Sequence, residues 1–253
     1  FHTGELTELL FADKFFTWGW KKNKKTLPFY SLYFSNKLKN FKLRKTNENK
    51  ILYCLLLNTR FLNISGDIAR NNYQRLKNLQ SIRFLLKRLK REHTRNLTLR
   101  YLGRSESSGS YLDKNKKEFK NIEKFDKGNR TLFEEINKYK IVIHDSFNTA
   151  GLESLTYDKP TLFLINQNIE FFQNSFNPLF KKMIKSKMVH LNSHSLATFL
   201  NKNLKYIDKW WQSPKIEKLK IELKKNYVNS SLNYQKELIK TLRKWGVRID
   251  ESL

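Results

Sequence analysis

The spacing of apolar residues along the chain changes period several times, and each change marks an element. Ile51–Leu57 (ILYCLLL) is a continuous apolar run of strand length, the pattern of a strand covered on both faces. Ile141–His144 (IVIH) and Thr161–Ile165 (TLFLI) repeat that pattern, and Asn96–Leu102 (NLTLRYL) and Lys187–Leu191 carry weaker versions of it. Lys14–Trp20 (KFFTWGW) is short, aromatic and β-prone, and leads into the basic run Lys21–Lys25. Residues 70–92 place Tyr73, Leu76, Leu79, Ile82, Leu85, Leu86 and Leu89 on one face with basic residues between, which predicts an amphipathic helix. Further helices are predicted over Leu132–Lys138, Thr149–Tyr157 and Leu196–Asn203, the last capped by Ser193. Ser213 and Pro214 form an N-cap and first-turn pair that opens a long helical region with a break near Asn229–Ser231. Asn23–Asn49, rich in Lys and Asn around the aromatic patch Pro28–Phe34, reads as a connection, and Gly103–Gly128 as a polar stretch with one short helix.

Apolar strands alternating with amphipathic helices imply βαβ units, and hence an α/β fold with a parallel sheet flanked by helices. Right-handed crossovers make this a Rossmann-like layer. No internal repeat of about 20–50 residues is present, which excludes a solenoid.

Composition narrows the function classes. With 39% hydrophobic and 14% aromatic residues the chain can fill a core, so generic disorder is excluded. No apolar run approaches the ~18–20 residues of a membrane-spanning helix. The single cysteine, Cys54, lies inside an apolar run, which excludes a disulfide framework and a cysteine zinc site and fits a reducing compartment. The sequence contains no HExxH, no DxD pair in a donor context and no GxSxG elbow, so no metal and no other cofactor is expected. The start Phe1–Leu10 lacks the basic and apolar regions of a signal peptide; it reads as the start of an N-terminally truncated, cytoplasmic chain.

Fifty Lys and Arg against 23 Asp and Glu give a formal charge of +27. Part of this reflects the Lys, Asn, Phe, Ile and Leu enrichment of AT-rich coding sequences. The surface nevertheless attracts phosphates, nucleic acids and acidic headgroups. Its basic residues are spread along the whole chain without a recognisable nucleic-acid motif, so no specific nucleic acid is expected as partner; a basic nucleic-acid-binding or peripheral membrane-binding protein without catalysis is the alternative that the charge leaves open. Lys21–Lys25 and Lys181–Lys187 would serve a peripheral contact with an anionic membrane.

Ligands of an open parallel sheet bind beyond the carboxyl ends of its strands. The candidate segments are Asn58–Arg60, Gly103–Ser110, His144–Gly151 and Asn166–Gln167. In the third, a strand, a polar turn and a helix start of small residues follow one another. Thr149, Ala150 and Gly151 would let a phosphate approach free amides at the positive end of the helix, with a hydroxyl from Ser146 or Thr149 and the side chain of Asn148 beside it. Glu153 would receive sugar or ribose hydroxyls. The competing reading, at even weight, is that Ser146, Asn148 or Thr149 caps the helix and Glu153 complements its dipole. His144 is either a general base or donor ligand, or a satisfied structural imidazole.

The stretch HDSFNTAGLESLTYDKPT resembles the donor-site signature in the C-terminal half of GT-B glycosyltransferases. With FADKFFTWGW, Arg60 after ILYCLLL, Arg100 in NLTLRYL, and WWQSPKI near the end, the chain more closely resembles a family of bacterial transferases of surface-polysaccharide biosynthesis. The resemblance implies a transferase that uses a nucleotide sugar and a glycan or lipid-linked acceptor in surface polysaccharide or lipopolysaccharide synthesis. It implies a remnant of the acceptor-side domain and linker over residues 1–48, a donor-binding domain over 49–212, and a C-terminal helical segment over 213–253. It also implies that Arg60 and Arg100 neutralise the diphosphate leaving group without a metal, against the alternative of solvated surface arginines.

Overall fold

The computed structural model describes residues 9–44, 46, 48–55, 72–101, 119, 121–166 and 176–248. Its centre is a six-stranded, all-parallel sheet: β3 (Ile51–Leu55), β4 (Leu97–Tyr101), β5 (Lys124–Asp126), β6 (Ile141–His144), β7 (Thr161–Leu164) and β8 (Val189–His190). In space they run β5-β4-β3-β6-β7-β8. The chain therefore starts in the middle, winds outward on one side, returns and winds outward on the other. This is the doubly wound order of nucleotide-binding sheets, with its switch point between β3 and β6. Every residue of β3, β4, β6 and β7 is buried, which is why β3 reads as an unbroken apolar run and β6 and β7 nearly so, while β4 carries Thr98 and Arg100 among its apolar residues.

One sheet face, formed by Ile51, Tyr53, Leu97, Leu99, Ile141, Ile143, Leu162 and Leu164, packs against two helices. Helix α2 (Asn72–Arg88) contributes Leu79, Ile82 and Leu85, and α7 (Ser193–Asn203) contributes Leu196, Ala197 and Leu200. Between α2 and β4 lies the short helix α3 (Arg91–Arg95). The opposite face is covered by α4 (Leu132–Glu135), α5 (Thr149–Thr156), α6 (Asn177–Lys185) and, after α8 (Ile207–Trp211), by α9 (Pro214–Tyr227). Ile216, Leu219 and Leu223 of α9 share a core with Leu155, Phe163 and Phe180, so the first turns of the C-terminal segment are integral to the sheet's packing.

The segment read as a connection before β3 is structured. Thr26–Pro28 (β2) pairs in parallel with Phe15–Thr17 (β1), and Leu32–Lys39 forms helix α1, whose N-cap Ser31 accepts a hydrogen bond from the Phe34 amide. These elements fold together with the end of the chain. The Ser31 amide donates to Asn229 O at 2.6 Å, the Asn229 amide to Trp18 O at 3.0 Å, and Phe16 stacks on Trp245 just past α10 (Tyr234–Lys244). Gly19, at φ +127°, lies so close to this layer that a Cβ there would stand 2.0 Å from Lys225 O.

Further expectations are corrected. Strand β5 and helix α6 lie where no element was expected. The cap of α7 is Asn192, whose Oδ1 accepts from the Ser195 amide, while the Ser193 hydroxyl donates to Ser81 O at 2.6 Å. The N-cap Ser213 and first-turn Pro214 are in place as expected; the Ser213 hydroxyl donates to Trp210 O and accepts from no amide of the helix. Most of Gly103–Gly128 lies outside the described residues.

Candidate functional site

Beyond the carboxyl end of β6, at the switch point, the chain turns through Asp145–Asn148 into α5. Asn148 is extended (φ −127°, ψ 176°), the geometry of an N-cap, and its Oδ1 accepts the Gly151 amide at 2.9 Å. Its amide nitrogen donates to Ser146 Oγ at 3.2 Å, and Ser146 in turn donates to Asp145 Oδ1 at 3.3 Å. Asp145 is tied across the sheet to α2, where Asn78 Nδ2 lies 3.2 Å from its Oδ2. Ser146 is buried, Asn148 and Ala150 half-buried, and Thr149 exposed. The turn is a small polar network whose open side presents the first turn of α5. With the Gly151 amide taken by the cap, an anion arriving there meets the amides of Thr149 and Ala150, which a helix N-terminus leaves outside its ladder.

Gly151 faces inward. A Cβ on it would stand 2.8 Å from Cε1 and 3.3 Å from Cζ of Phe163, and 3.6 Å from Cγ of His144. The missing side chain lets α5 lie close on the sheet.

His144 sits directly beneath, fully buried, with Nε2 3.0 Å from Ser154 Oγ. Ser154 Oγ also lies 3.1 Å from Ala150 O and has one proton to give, so it donates to that carbonyl and receives the proton on His144 Nε2. His144 Nδ1 is then an unprotonated, buried nitrogen without a partner among the described residues. Burial pushes the imidazole's pKa down to about 3, so the ring is neutral at physiological pH.

Glu153 begins the second turn of α5, not the first, and so lies too deep to complement the helix start. Its side chain is on the same helical face as Thr149 and is buried. Oε1 accepts the Tyr157 hydroxyl at 2.8 Å. Burial raises the carboxyl's pKa, opposed by that hydrogen bond and by the positive charges of Lys37 and Arg100.

Arg100, on β4 in register with Cys54 of β3, is also buried. It pairs with Asp126 at 2.6 Å and donates to Arg130 O, so its guanidinium is committed to the β5 side of the sheet. Cys54 lies in the same row, its thiol pushed up to about 12 by burial. Arg60 lies outside the described residues, as do Gly103–Ser110 and Gln167. Asn166 is described and donates to Ser81 Oγ at 2.7 Å. Among the described residues no group of three His, Cys, Asp or Glu is placed to hold a metal ion, and no helix is long and apolar enough to cross a membrane.

One element beside this site went unnoticed in the sequence, helix α1, whose Lys37 carries a positive charge that favours the ionised Glu153 carboxylate. The α1 helix crosses α5 where Leu38, Phe41 and Ala150 meet a shared core, and Phe41 stacks on Tyr157 with centroids 4.1 Å apart. The signal was there: Ser31 as a cap, with Phe34 and Leu38 four residues apart, is a short amphipathic helix hidden in a Lys/Asn-rich stretch.

No curated protein matches the chain significantly. Among solved structures, it resembles the wall teichoic acid polymerase TagF at 12% identity and a TM-score of 0.45, covering 92% of this chain and 57% of that one. It resembles S. aureus MnaA, solved with UDP, at 14% identity and a TM-score of 0.47, covering 89% of this chain and 54% of that one. The chain thus spans little more than half the length of these proteins. A family model matches residues 1–242, and by that match the chain belongs to the LIC12162 family of transferases.

Proposed function

We propose that this transferase takes a nucleotide-activated sugar as donor, and that the chain is the donor-binding part of a GT-B-type glycosyltransferase of bacterial surface polysaccharide or lipopolysaccharide synthesis. The observation that carries the reading is the first turn of α5, opening at the switch point between β3 and β6 with a buried carboxylate one turn deeper on the same face. The donor's phosphates bind at the Thr149 and Ala150 amides with the Thr149 hydroxyl and the Ser146–Asn148 network beside them. Glu153 keeps Oε1 on Tyr157 and accepts a ribose or sugar hydroxyl on Oε2. Arg60 and the field of Arg100 offset the charge of the leaving group, without a metal. Gly151 and His144 hold α5 at its height above the sheet and touch no donor. The base that activates the acceptor hydroxyl then comes from the acceptor side.

The acceptor is a glycan or a lipid-linked intermediate. The enzyme works in the cytoplasm at the inner membrane face, with Lys21–Lys25 and Lys181–Lys187 toward anionic lipid.

Thermal unfolding with UDP, CDP, GDP, dTDP and CMP tests the reading. A nucleotide at 100 times its dissociation constant adds about 2.7 kcal/mol of stability, which raises Tm by several degrees. Thr149→Asp keeps the helix, since a carboxylate suits its first turn, yet repels a phosphate, so the shift should vanish while the ligand-free Tm holds. Glu153→Gln, which can still accept from Tyr157, should weaken the shift. A wild-type Tm that no nucleotide moves rejects the proposal.

A further inference from the structure

On the face of the sheet opposite α5, the last two turns of α2 border a cavity of about 460 Å³, lined by Arg83, Leu86, Lys87, Phe119 and Asn121. Its floor is apolar. Phe119 is 2% exposed and meets Phe125 of β5 edge to face, with centroids 6.1 Å apart, and Leu86 packs against the main core. Its wall is cationic: Arg83 and Lys87 are four residues apart and so share one face of α2. Lys87 is exposed, and among the described residues it forms no hydrogen bond and no ion pair. Asn121, also exposed, adds an amide at the rim. Among the described residues no carboxylate lines the cavity.

Cations are common near the C-terminal end of a helix, where they complement its negative pole. That rule explains Lys87 as a surface charge. It does not explain an aromatic ring and a leucine beneath the charges, nor a hollow within the ~300–1,000 Å³ range of small-molecule sites. The helix pole would oppose an anion with roughly half a unit of charge, which two full positive charges outweigh. A bare oxyanion would leave the floor unused, and a neutral hydrophobe would leave the charges unused. A molecule with an anionic group on an apolar ring or chain uses both. The cavity is also separate from the turn into α5: Asn78, where α2 reaches Asp145, precedes Lys87 by about 14 Å along the helix axis.

We propose that this cavity binds a small organic anion, a carboxylate, sulfonate or phosphate carried on an apolar body, at a site distinct from the donor's. The anionic group lies between Lys87 and Arg83, and the body rests on Leu86 and Phe119.

Fluorescence titration of the full chain tests the site with two probes: anilinonaphthalene sulfonate, and phenylnaphthylamine, which has the same rings without the sulfonate. Wild-type protein should bind the sulfonate more tightly than the neutral probe. Lys87→Met should weaken the sulfonate about tenfold, the loss of one contact to a charged group, and leave the neutral probe as it was. Asn121→Trp, which fills the mouth from an exposed position, should weaken both. Lys202→Met, which removes an exposed lysine of α7 outside the cavity, should change neither. Melting curves without probe should match wild type for all three variants, since each changes an exposed side chain. Sulfonate binding unmoved by Lys87→Met or by Asn121→Trp overturns the proposal. So does an equal loss in Lys202→Met, a neutral probe bound as tightly as the sulfonate, or wild-type protein that binds neither.

Discussion

Gly151→Ala separates two roles that the turn into α5 offers its glycine. If the glycine exists to admit a phosphate, alanine leaves the apo protein as stable as before, or steadier by the ~0.5–1 kcal/mol that a helix gains from losing an internal glycine. The structure says otherwise. The new methyl would stand 2.8 Å from Phe163 Cε1, well inside the ~3.5–4.0 Å of an ordinary carbon contact. Phe163 cannot swing away: it is fully buried, with the Phe147 ring 4.5 Å away and His144 5.8 Å away. Overpacking of this kind costs about 1–3 kcal/mol. Less the propensity gain, the net loss spans about 0–2.5 kcal/mol and centres a little above 1 kcal/mol, which is roughly 2–4 °C in Tm for a chain of this size. Calorimetry of Gly151→Ala, Phe163→Leu and the double variant completes the assay. Shortening Phe163 makes room for the methyl, so the cost of Gly151→Ala should fall when Leu is at 163, a coupling that independent sites would not show. An unchanged or raised Tm in Gly151→Ala alone would refute the packing argument.

The buried imidazoles make a prediction about acid. His144 and His190 have folded pKa values lowered by burial to about 3 and about 4, against about 6.5 in the unfolded chain. Below pH 6.5 the unfolded state binds the extra protons, so stability falls with pH from there toward 4, by at most about 1.4 kcal/mol per pH unit for each ring. His144→Gln should shallow that slope in a pH series of denaturant melts; an identical slope would mean that the ring is not neutral in the fold. Lys220 is almost fully buried, paired with Asp158 at 2.9 Å and Glu217 at 2.5 Å, and its ammonium lies 4.7 Å from the Trp211 ring centre. Lys220→Met should cost about 1–2 kcal/mol, discounted because both acids are half-exposed, while nucleotide affinity stays at wild type; a loss of affinity would show that α9 acts on the site.

The charge of the surface and the charge of the site are separate matters. The excess of basic residues lies mainly outside, whereas the polar groups about α5 are few and are bonded largely to one another. A helix start already capped by Asn148 holds its shape without a ligand. Phosphate binding would then add to a preformed turn and cost little ordering, the condition under which a few amides can count.

The apolar runs at residues 51–55, 141–144 and 161–164 marked three parallel strands in the sequence alone, because a strand covered on both faces has little room for polar alternation, and the weaker run at 97–101, interrupted by Thr98 and Arg100, marked a fourth. The amphipathic spacing over residues 79–89 did the same for α2, and the strand–turn–helix at 141–156 was legible for the same reason. Elements of three residues, such as β2 and β5, carry too little pattern to be seen, and α1 was masked by its lysines and asparagines. Strand order left no trace in the chain, since neighbouring strands are chosen by packing and not by local period. Nor did the sequence decide which way the turn residues face. The same letters, His-Asp-Ser-Phe-Asn-Thr-Ala-Gly-Leu-Glu, put Thr149 in solvent, His144 in the sheet, Gly151 against it, and Glu153 in a buried place one turn deeper. That division depends on how closely α5 approaches Phe163 and on a helix a hundred residues upstream, distances that only the folded chain sets.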